Sequence, residues 1–454
     1  MRSFDVVVIG AGPGGEVAAG KLAEAGLSVA IVESDKVGGE CSFYACIPSK
    51  ALLRPGELLA EARRTAGVSA AVTGPLDVRA VLDYRDELIG HLDDGYQVPW
   101  LTERGITLIR GRGRLAGQRR VVAGDEVIEA RRAVILAGGT RAALPDIDGL
   151  AGARPWTNRE ATTAEAIPAS LIVIGGGVVG AEMTQAYASL GARVTLIAGG
   201  HGLLAREEDF AGEQVAASLK EQGVDVLTGA TATSVRRDDS GVTVRLSDGG
   251  SVTADEILVA TGRTPQTADL GLETVGAPAD GYVRVDERMR VPGHDWLYAI
   301  GDLNGRALFT HMAKYQAGIA AGEILGRSIV TEHLADGAGS PRVIFTEPQV
   351  AAVGLTSAAA AAAGLRTRVV DVETDGNAGG RFSGGGGGTS RFVIDTDRDV
   401  LVGVTVTGTA VADFLQAATI AIVGEVPLRR LRHAVPAFPT RSEIWLNLFN
   451  ALGL

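Results

Sequence analysis

The chain has 454 residues, of which 46% are hydrophobic and 21% charged, the balance of a soluble globular protein too long for a single core. A formal net charge of -11 excludes an obvious polyanion-binding role, since nucleic-acid recognition needs a basic face; Arg429, Arg430 and Arg432 read as solvated surface. Two cysteines in a chain of this length exclude a secretory disulfide framework.

The first predicted strand, Phe4 to Ile9, follows the N-terminus with no basic leader or cleavage site. No apolar run is long enough to span a bilayer, so a cytoplasmic protein without membrane or nucleic-acid partners is expected. The segment Gly10-Ala11-Gly12-Pro13-Gly14-Gly15 then turns into a helix predicted from Glu16 to Ala25, followed by a strand from Ser28 to Glu33. This is a βαβ unit. The cysteines follow at once, in Gly38-Gly39-Glu40-Cys41-Ser42-Phe43-Tyr44-Ala45-Cys46-Ile47-Pro48-Ser49-Lys50.

Polar helices are predicted over 51–105, then short strands that include Ala133 to Leu136. The βαβ pattern returns with a strand from Leu171 to Ile174, the turn Gly175-Gly176-Gly177-Val178-Val179-Gly180, a helix from Ala181 to Leu190 and a strand from Arg193 to Ile197. From about residue 340 come strands at Arg342 to Thr346 and Leu401 to Val406, with helices at Ala358 to Ala363, Ala410 to Val423 and Ser442 to Leu452. The run Gly384 to Gly388 reads as a flexible hairpin loop rather than a phosphate cradle, because no helix follows it.

Each Gly-rich turn follows a strand and opens a helix, the context that gives the motif its meaning. Gly10 and Gly175 permit the tight turn, Gly12 and Gly177 let backbone approach a pyrophosphate, and Gly15 and Gly180 let helix pack on strand. The pyrophosphate then sits on the positive end of the helix. In the first unit Glu33 ends the second strand, where a carboxylate bonds both ribose hydroxyls. In the second the matching residue is Ala198, with no carboxylate to repel the extra phosphate of NADP. The expectation therefore leans to NADPH over NADH, with Arg206 and His201 as candidates for that phosphate. The four-residue spacer should place both sulfurs at one turn at the start of a helix, whose N-terminus favours a thiolate at Cys46.

With these motifs in hand, the chain resembles the flavoprotein disulfide reductases, the class I pyridine nucleotide-disulfide oxidoreductases that include dihydrolipoamide dehydrogenase, glutathione reductase and mercuric reductase. Further segments carry the likeness: Glu182 in the second helix, Ala260-Thr261-Gly262-Arg263-Thr264-Pro265, Tyr298-Ala299-Ile300-Gly301-Asp302, Phe345-Thr346-Glu347-Pro348 and Val353-Gly354-Leu355-Thr356. The resemblance implies an α/β fold with two Rossmann-like dinucleotide-binding domains, for FAD and NAD(P), plus a C-terminal α+β dimerisation domain. The divisions it implies are 1–150 and 266–338 for FAD, 151–265 for NAD(P) and 339–454 for dimerisation. A homodimer with the site shared between subunits, and no metal, is expected.

The resemblance also implies roles. Cys46 would be the thiol against the flavin, and Cys41 the one that exchanges with a substrate disulfide. Lys50 would lie near flavin N5 and pair with Glu182. Asp302 would bond the ribityl chain of FAD, with Gly301 allowing its approach. Gly39, Gly113 and Gly138 would also touch FAD, and Gly262 belongs to the NAD(P) motif.

One position departs from the pattern. Family members that reduce disulfides carry a His near the C-terminus, supplied by the partner subunit and oriented by a Glu. Here Pro439, Thr440, Ser442 and Glu443 fit, but the His position is Phe438, which carries no proton; His433 nearby reads as structural. Phe43, Tyr44 and Ala45 would narrow access to Cys41, and Val178 stands where some relatives place a gating Tyr. The expected activity is an FAD-dependent NAD(P)H oxidoreductase that passes electrons through the flavin to Cys41 and Cys46, then to a non-standard small disulfide or related acceptor. The alternatives are a diaphorase or quinone reductase acting from the flavin, and a redox-responsive flavin-binding protein with little turnover.

Overall fold

Four consecutive apolar residues, Val6 to Ile9, are buried on both faces, which is what a central parallel strand requires. They belong to strand Arg2–Ile9, which pairs in parallel with Val29–Glu33 on one side and Glu126–Leu136 on the other. Thr107–Arg110 extends the sheet beyond Val29–Glu33, and Leu297–Ala299 pairs in parallel with Glu126–Leu136. Arg120–Ala123 and Gly113–Leu115 finish it as antiparallel strands. Alternate residues feed opposite cores: Val7 and Ile9 pack with Val32 and Leu136, while Val6 and Val8 pack with Ala18 and Leu22. The computed structural model describes residues 2–200, 202–327, 335 and 339–454; His201 and the end of the 266–338 segment lie outside the described residues.

This sheet is the centre of a unit made of Met1–Pro48, Arg85–Ala143 and Arg263–Gly337. Its first helix, Pro13–Glu24, begins three residues earlier than the sequence suggests, because Pro13 occupies the first turn, where its missing N–H has no intrahelical partner to lose. Gly14, Gly15, Ala18, Ala19 and Leu22 are its buried face. A Cβ at Gly14 would stand 3.3 Å from Ala313, so the small residue lets this helix pack closely on the helix Thr310–Ile324.

The second unit comprises Ser49–Tyr84, Leu144–Gly262 and Ala338–Leu454. Its parallel sheet runs Asp225–Thr228, Arg193–Gly199, Ser170–Ile174 and Glu256–Val259 in spatial order. The helix Val178–Ser189 follows Ser170–Ile174, and its buried Tyr187 donates to the Ala161 carbonyl at 2.7 Å. A three-stranded antiparallel meander, Ala232–Asp238, Gly241–Leu246 and Ser251–Ala254, follows. The C-terminal part is a five-stranded antiparallel sheet in the order Arg342–Ile344, Gln349–Gly354, Val400–Gly408, Thr389–Asp395, Thr367–Glu373.

Two expected helices are shorter than the sequence suggests. The one expected from Ala410 begins at Leu415, because Ala410 adopts a left-handed φ of 55° in a preceding turn. The last one divides into a 3-10 turn, Arg441–Glu443, and a helix, Ile444–Leu452. All of Gly384 to Gly388 have positive φ and lead into strand Thr389–Asp395. Trp445 anchors this C-terminal core, its ring 5.5 Å from those of both Phe392 and Phe414. Trp445→Ala is therefore expected to destabilise the chain by about 3–5 kcal/mol, read as a lowered urea midpoint by far-UV circular dichroism.

Candidate functional site

The first Gly-rich turn is drawn in at two points and open at a third. A Cβ at Gly10, whose φ is 104°, would collide with the Ala137 carbonyl, and one at Gly15 with the Gly10 carbonyl. At Gly12, which caps the helix, an added Cβ meets nothing within 4 Å. Open space over a helix N-terminus suits a pyrophosphate. Glu33 is fixed beside it, its two oxygens accepting from the Ala11 and Asp35 N–H groups, each at 2.7 Å. The cradle fits the pyrophosphate and ribose of FAD.

The second turn repeats the geometry. Gly175, with φ 122°, is held against the Ala260 carbonyl, Gly180 against the Gly175 carbonyl, and Gly177 is open. Gly262 has φ 155° and is exposed. Beyond the strand Arg193–Gly199, the nearest carboxylates in sequence have other partners. Arg342 Nε bonds Glu207 at 2.7 Å, while Glu208 accepts from Ser357 and Arg391. Arg206 is exposed.

The cysteines lie on two successive helices rather than at one turn of a single helix: Cys41 within Gly39–Phe43, and Cys46 as the first residue of Cys46–Arg64. The separation arises at Tyr44 and Ala45, where the short first helix ends. Gly39 brings the segment to the nucleotide turn, since a Cβ there would stand 2.9 Å from Gly12 Cα. Neither cysteine is in a disulfide, and both are half-buried. Cys46 Sγ is 3.3 Å from Thr310 Oγ1. A hydrogen bond with Cys46, burial, and the charge of Cys46 together push the Cys41 thiol well above its usual range, while Thr310 and the Lys314 ammonium act the other way. Phe43 is buried against Tyr44 and Tyr96, ring centroids 6.3 Å away, and so serves packing rather than access to Cys41.

A polar chain links the cysteine segment to Asp302. Arg263 contacts Glu40 at 3.3 Å and Thr140 Oγ1 at 2.9 Å, and Thr140 donates to Asp302 Oδ2 at 2.9 Å. The Gly301 N–H donates to Gln316 at 2.8 Å. Burial raises the Asp302 carboxyl, opposed by Thr140 and Arg263. Gln266 Nε2 donates to the Gly138 carbonyl at 2.8 Å. Gly113 is a buried strand residue: a Cβ there would lie 3.0 Å from both Ile9 and Val32, so packing under the sheet accounts for it.

One helical turn beyond Cys46, Lys50 Nζ lies 2.7 Å from Glu182 Oε2, with side-chain exposures of 37% and 4%. The other oxygen of Glu182 accepts from the Phe345 N–H at 2.9 Å, and Lys50 sits 4.9 Å over the Phe345 ring. The carboxylate is thereby held by two donors.

In the C-terminal segment Phe438 is 77% exposed and Val435 82%. His433 is exposed as well. Glu443 is buried and accepts from the Gly379 N–H at 2.7 Å, so its carboxylate has a backbone partner at the short helix Ala378–Phe382. Sequence reasoning missed Thr310, Lys314 and Phe345 beside these groups. One signal was available for Lys314: of 43 basic residues only five are lysines, and Lys50 and Lys314 are two of them. Among the described residues no cluster of His, Cys, Asp and Glu could hold a metal, and no helix is long and apolar enough to cross a membrane.

Residues 4–322 match the family described as pyridine nucleotide-disulphide oxidoreductase, and residues 340–448 match its dimerisation domain. A dihydrolipoyl dehydrogenase from Thermus scotoductus is 32% identical, over 100% of this chain and 98% of that protein. One from Haloferax volcanii is 30% identical over 99% and 96%. Among solved structures, LpdA from Mycobacterium tuberculosis superposes with a TM-score of 0.86 at 26% identity, covering 99% of each chain. The HOCl-induced flavoprotein disulfide reductase RclA from Escherichia coli shares the fold with a TM-score of 0.86 at 23% identity, over 98% of this chain and 99% of that one.

Because burial raises the Asp302 carboxyl, its ionised form costs the fold stability at pH values above its titration, and the cost vanishes as the pH falls through it. Asp302→Asn should therefore raise the thermal midpoint of the flavin-free chain at pH 7 and lose that advantage near pH 4, the ordinary carboxylate range, as followed by calorimetry. The same variant should retain FAD less tightly.

Proposed function

The chain belongs to the pyridine nucleotide-disulphide oxidoreductases, FAD-dependent enzymes that use NAD(P)H, and from that premise we propose that it works through Cys41 and Cys46 on a small disulfide or related acceptor other than the ordinary dithiol–disulfide substrates of its relatives. The observation that carries this reading is Phe438, an exposed ring where a proton donor belongs. Bound FAD supplies two-electron transfer between NAD(P)H and the disulfide.

The chain's own residues do the rest. Gly12 and Glu33 bind the FAD pyrophosphate and ribose, Asp302 takes the ribityl chain, and Gly177 opens onto the nicotinamide dinucleotide. The absence of a carboxylate at Ala198, with Glu207 and Glu208 engaged elsewhere, favours NADPH. Reduction of the pair by two electrons and one proton leaves one thiol and one thiolate, and Cys46, the first residue of its helix, is the favoured thiolate. Lys50 provides a compact positive charge one turn along the helix from Cys46, oriented by Glu182. In the homodimer the family resemblance implies, the Phe438 segment of one protomer would face the cysteine pair of its partner, with a phenyl ring where the imidazole of that motif belongs.

A positioned acid–base group contributes about 10²–10⁴-fold. Phe438→His should therefore raise NADPH-dependent reduction of a simple dithiol–disulfide substrate such as lipoamide by a factor in that range, and a rate equal to that of the unmodified chain would count against the reading. Phe438 also favours a second reading, a quinone reductase acting from the flavin, which needs no proton from this position. Cys41→Ser separates the two by steady-state assay: disulfide reduction is lost under the first, and quinone reduction is the whole activity under the second.

A further inference from the structure

The ion pair between Lys50 and Glu182 has a further member, which contributes a ring rather than a charge. Lys50 lies in the second turn of the helix Cys46–Arg64 with its side chain 37% exposed, so its flexible four-carbon stem needs anchors to hold one position. Glu182 Oε2 at 2.7 Å, Ser49 Oγ at 3.3 Å and the Phe345 ring, 4.9 Å to its centroid, converge on the ammonium. The ring attracts the cation through the negative face of its π system. The same residue also fixes the carboxylate, since its N–H donates to Glu182 Oε1 at 2.9 Å.

We infer that Phe345 is a positioning residue for Lys50: its ring holds the ammonium and its N–H holds the carboxylate, so one residue sets both halves of the pair. Its own position is fixed from two directions. Two buried side chains one turn apart on the helix Val178–Ser189 grip its segment, Glu182 at the Phe345 N–H and Gln185 at the Glu347 N–H, the latter at 2.7 Å. The segment is also tied to the helix that carries Lys50. Glu347 Oε1 lies 3.3 Å from the Arg64 guanidinium at the end of that helix, and Gln349 Nε2 donates to Glu57 Oε1 at 2.7 Å. Phe345 to Gln349 therefore brace the helix at Lys50, Glu57 and Arg64.

Packing explains an apolar residue at this position but not an aromatic one. Phe345 is half-buried and rests on the core that includes Leu171 and Tyr187, a contact that a leucine also makes. Only an aromatic side chain offers a face to the ammonium. The inference rests on the reading above in which Lys50 is the positive charge of the redox site, and adds what keeps that charge in place.

The test uses the FAD-loaded protein and compares Phe345→Leu, which keeps the N–H and the apolar contact, with Phe345→Tyr, which keeps the ring. Lys21, Lys36, Lys50, Lys220 and Lys314 are the only lysines of the chain, so trace acetylation of each by acetic anhydride at a fixed pH is resolved by peptide mass spectrometry. With the exposed Lys220 as reference, Lys50 should be acetylated about two- to fivefold faster in Phe345→Leu and at the original rate in Phe345→Tyr. An unmoved Lys50 rate in Phe345→Leu overturns the inference, and so does an equal rise in Phe345→Tyr. If Phe345→Leu does not fold, the unmodified protein carrying isotope-labelled lysine decides by NMR. The ε-CH₂ protons of Lys50, assigned with Lys50→Arg, should resonate upfield of those of Lys220 because of the ring current, and equal shifts overturn the inference. Anaerobic stopped-flow reduction of the flavin by NADPH keeps the two readings apart. Slower reduction in Phe345→Leu, restored in Phe345→Tyr, supports both. Faster acetylation with unchanged reduction upholds the positioning of Lys50 and removes Lys50 from the redox site.

Discussion

The approach of Gly39 to the backbone of Gly12 is the constraint on which the redox site depends. Both residues lack a side chain, and a Cβ at Gly39 would press on Gly12 Cα at 2.9 Å. The contact ties the cysteine segment to the turn whose open face suits a pyrophosphate. The polar chain from Glu40 through Arg263 and Thr140 to Asp302 fixes the same segment from its other side. Cys41, next to Glu40, inherits its position from both.

Charge around the pair is arranged unequally. Cys46 opens a helix, touches Thr310 and is followed one turn later by Lys50, whose ammonium is oriented by Glu182. Cys41 is half-buried beside another sulfur and is pushed toward its protonated form. The family resemblance implies an imidazole, oriented by a carboxylate, at this point. Here the carboxylate persists as Glu443, but it is bound to the Gly379 N–H, and the ring at 438 is apolar. Glu443 thus has a structural reason to be present whether or not a histidine precedes it.

Both Gly-rich turns and their parallel strands were legible in the sequence because their determinants are local. A glycine whose Cβ would strike a carbonyl lies within its own βαβ unit, as Gly15 does against Gly10. Glu33 was found by the same local rule. Thr310 was not found, since it comes from a distant helix and meets Cys46 only after the sheet has formed. Spacing placed the two sulfurs at one turn at the start of a helix; Cys46 does open a helix, but Cys41 lies on a separate short one, Gly39–Phe43. Gly113, expected at the nucleotide, also packs under the sheet against Ile9 and Val32, a long-range reason for glycine that the sequence did not show.

The central claim is that Cys41 and Cys46 take up electrons delivered by NAD(P)H, with the charge resting on Cys46. Anaerobic titration with NADPH, recorded as a visible spectrum, tests it most directly. After two electrons the account predicts a long-wavelength charge-transfer band between a thiolate and oxidised flavin, present in Cys41→Ser without reductant and absent in Cys46→Ser. Bleaching of the flavin with no such band, and with the disulfide intact to thiol reagents, would contradict it.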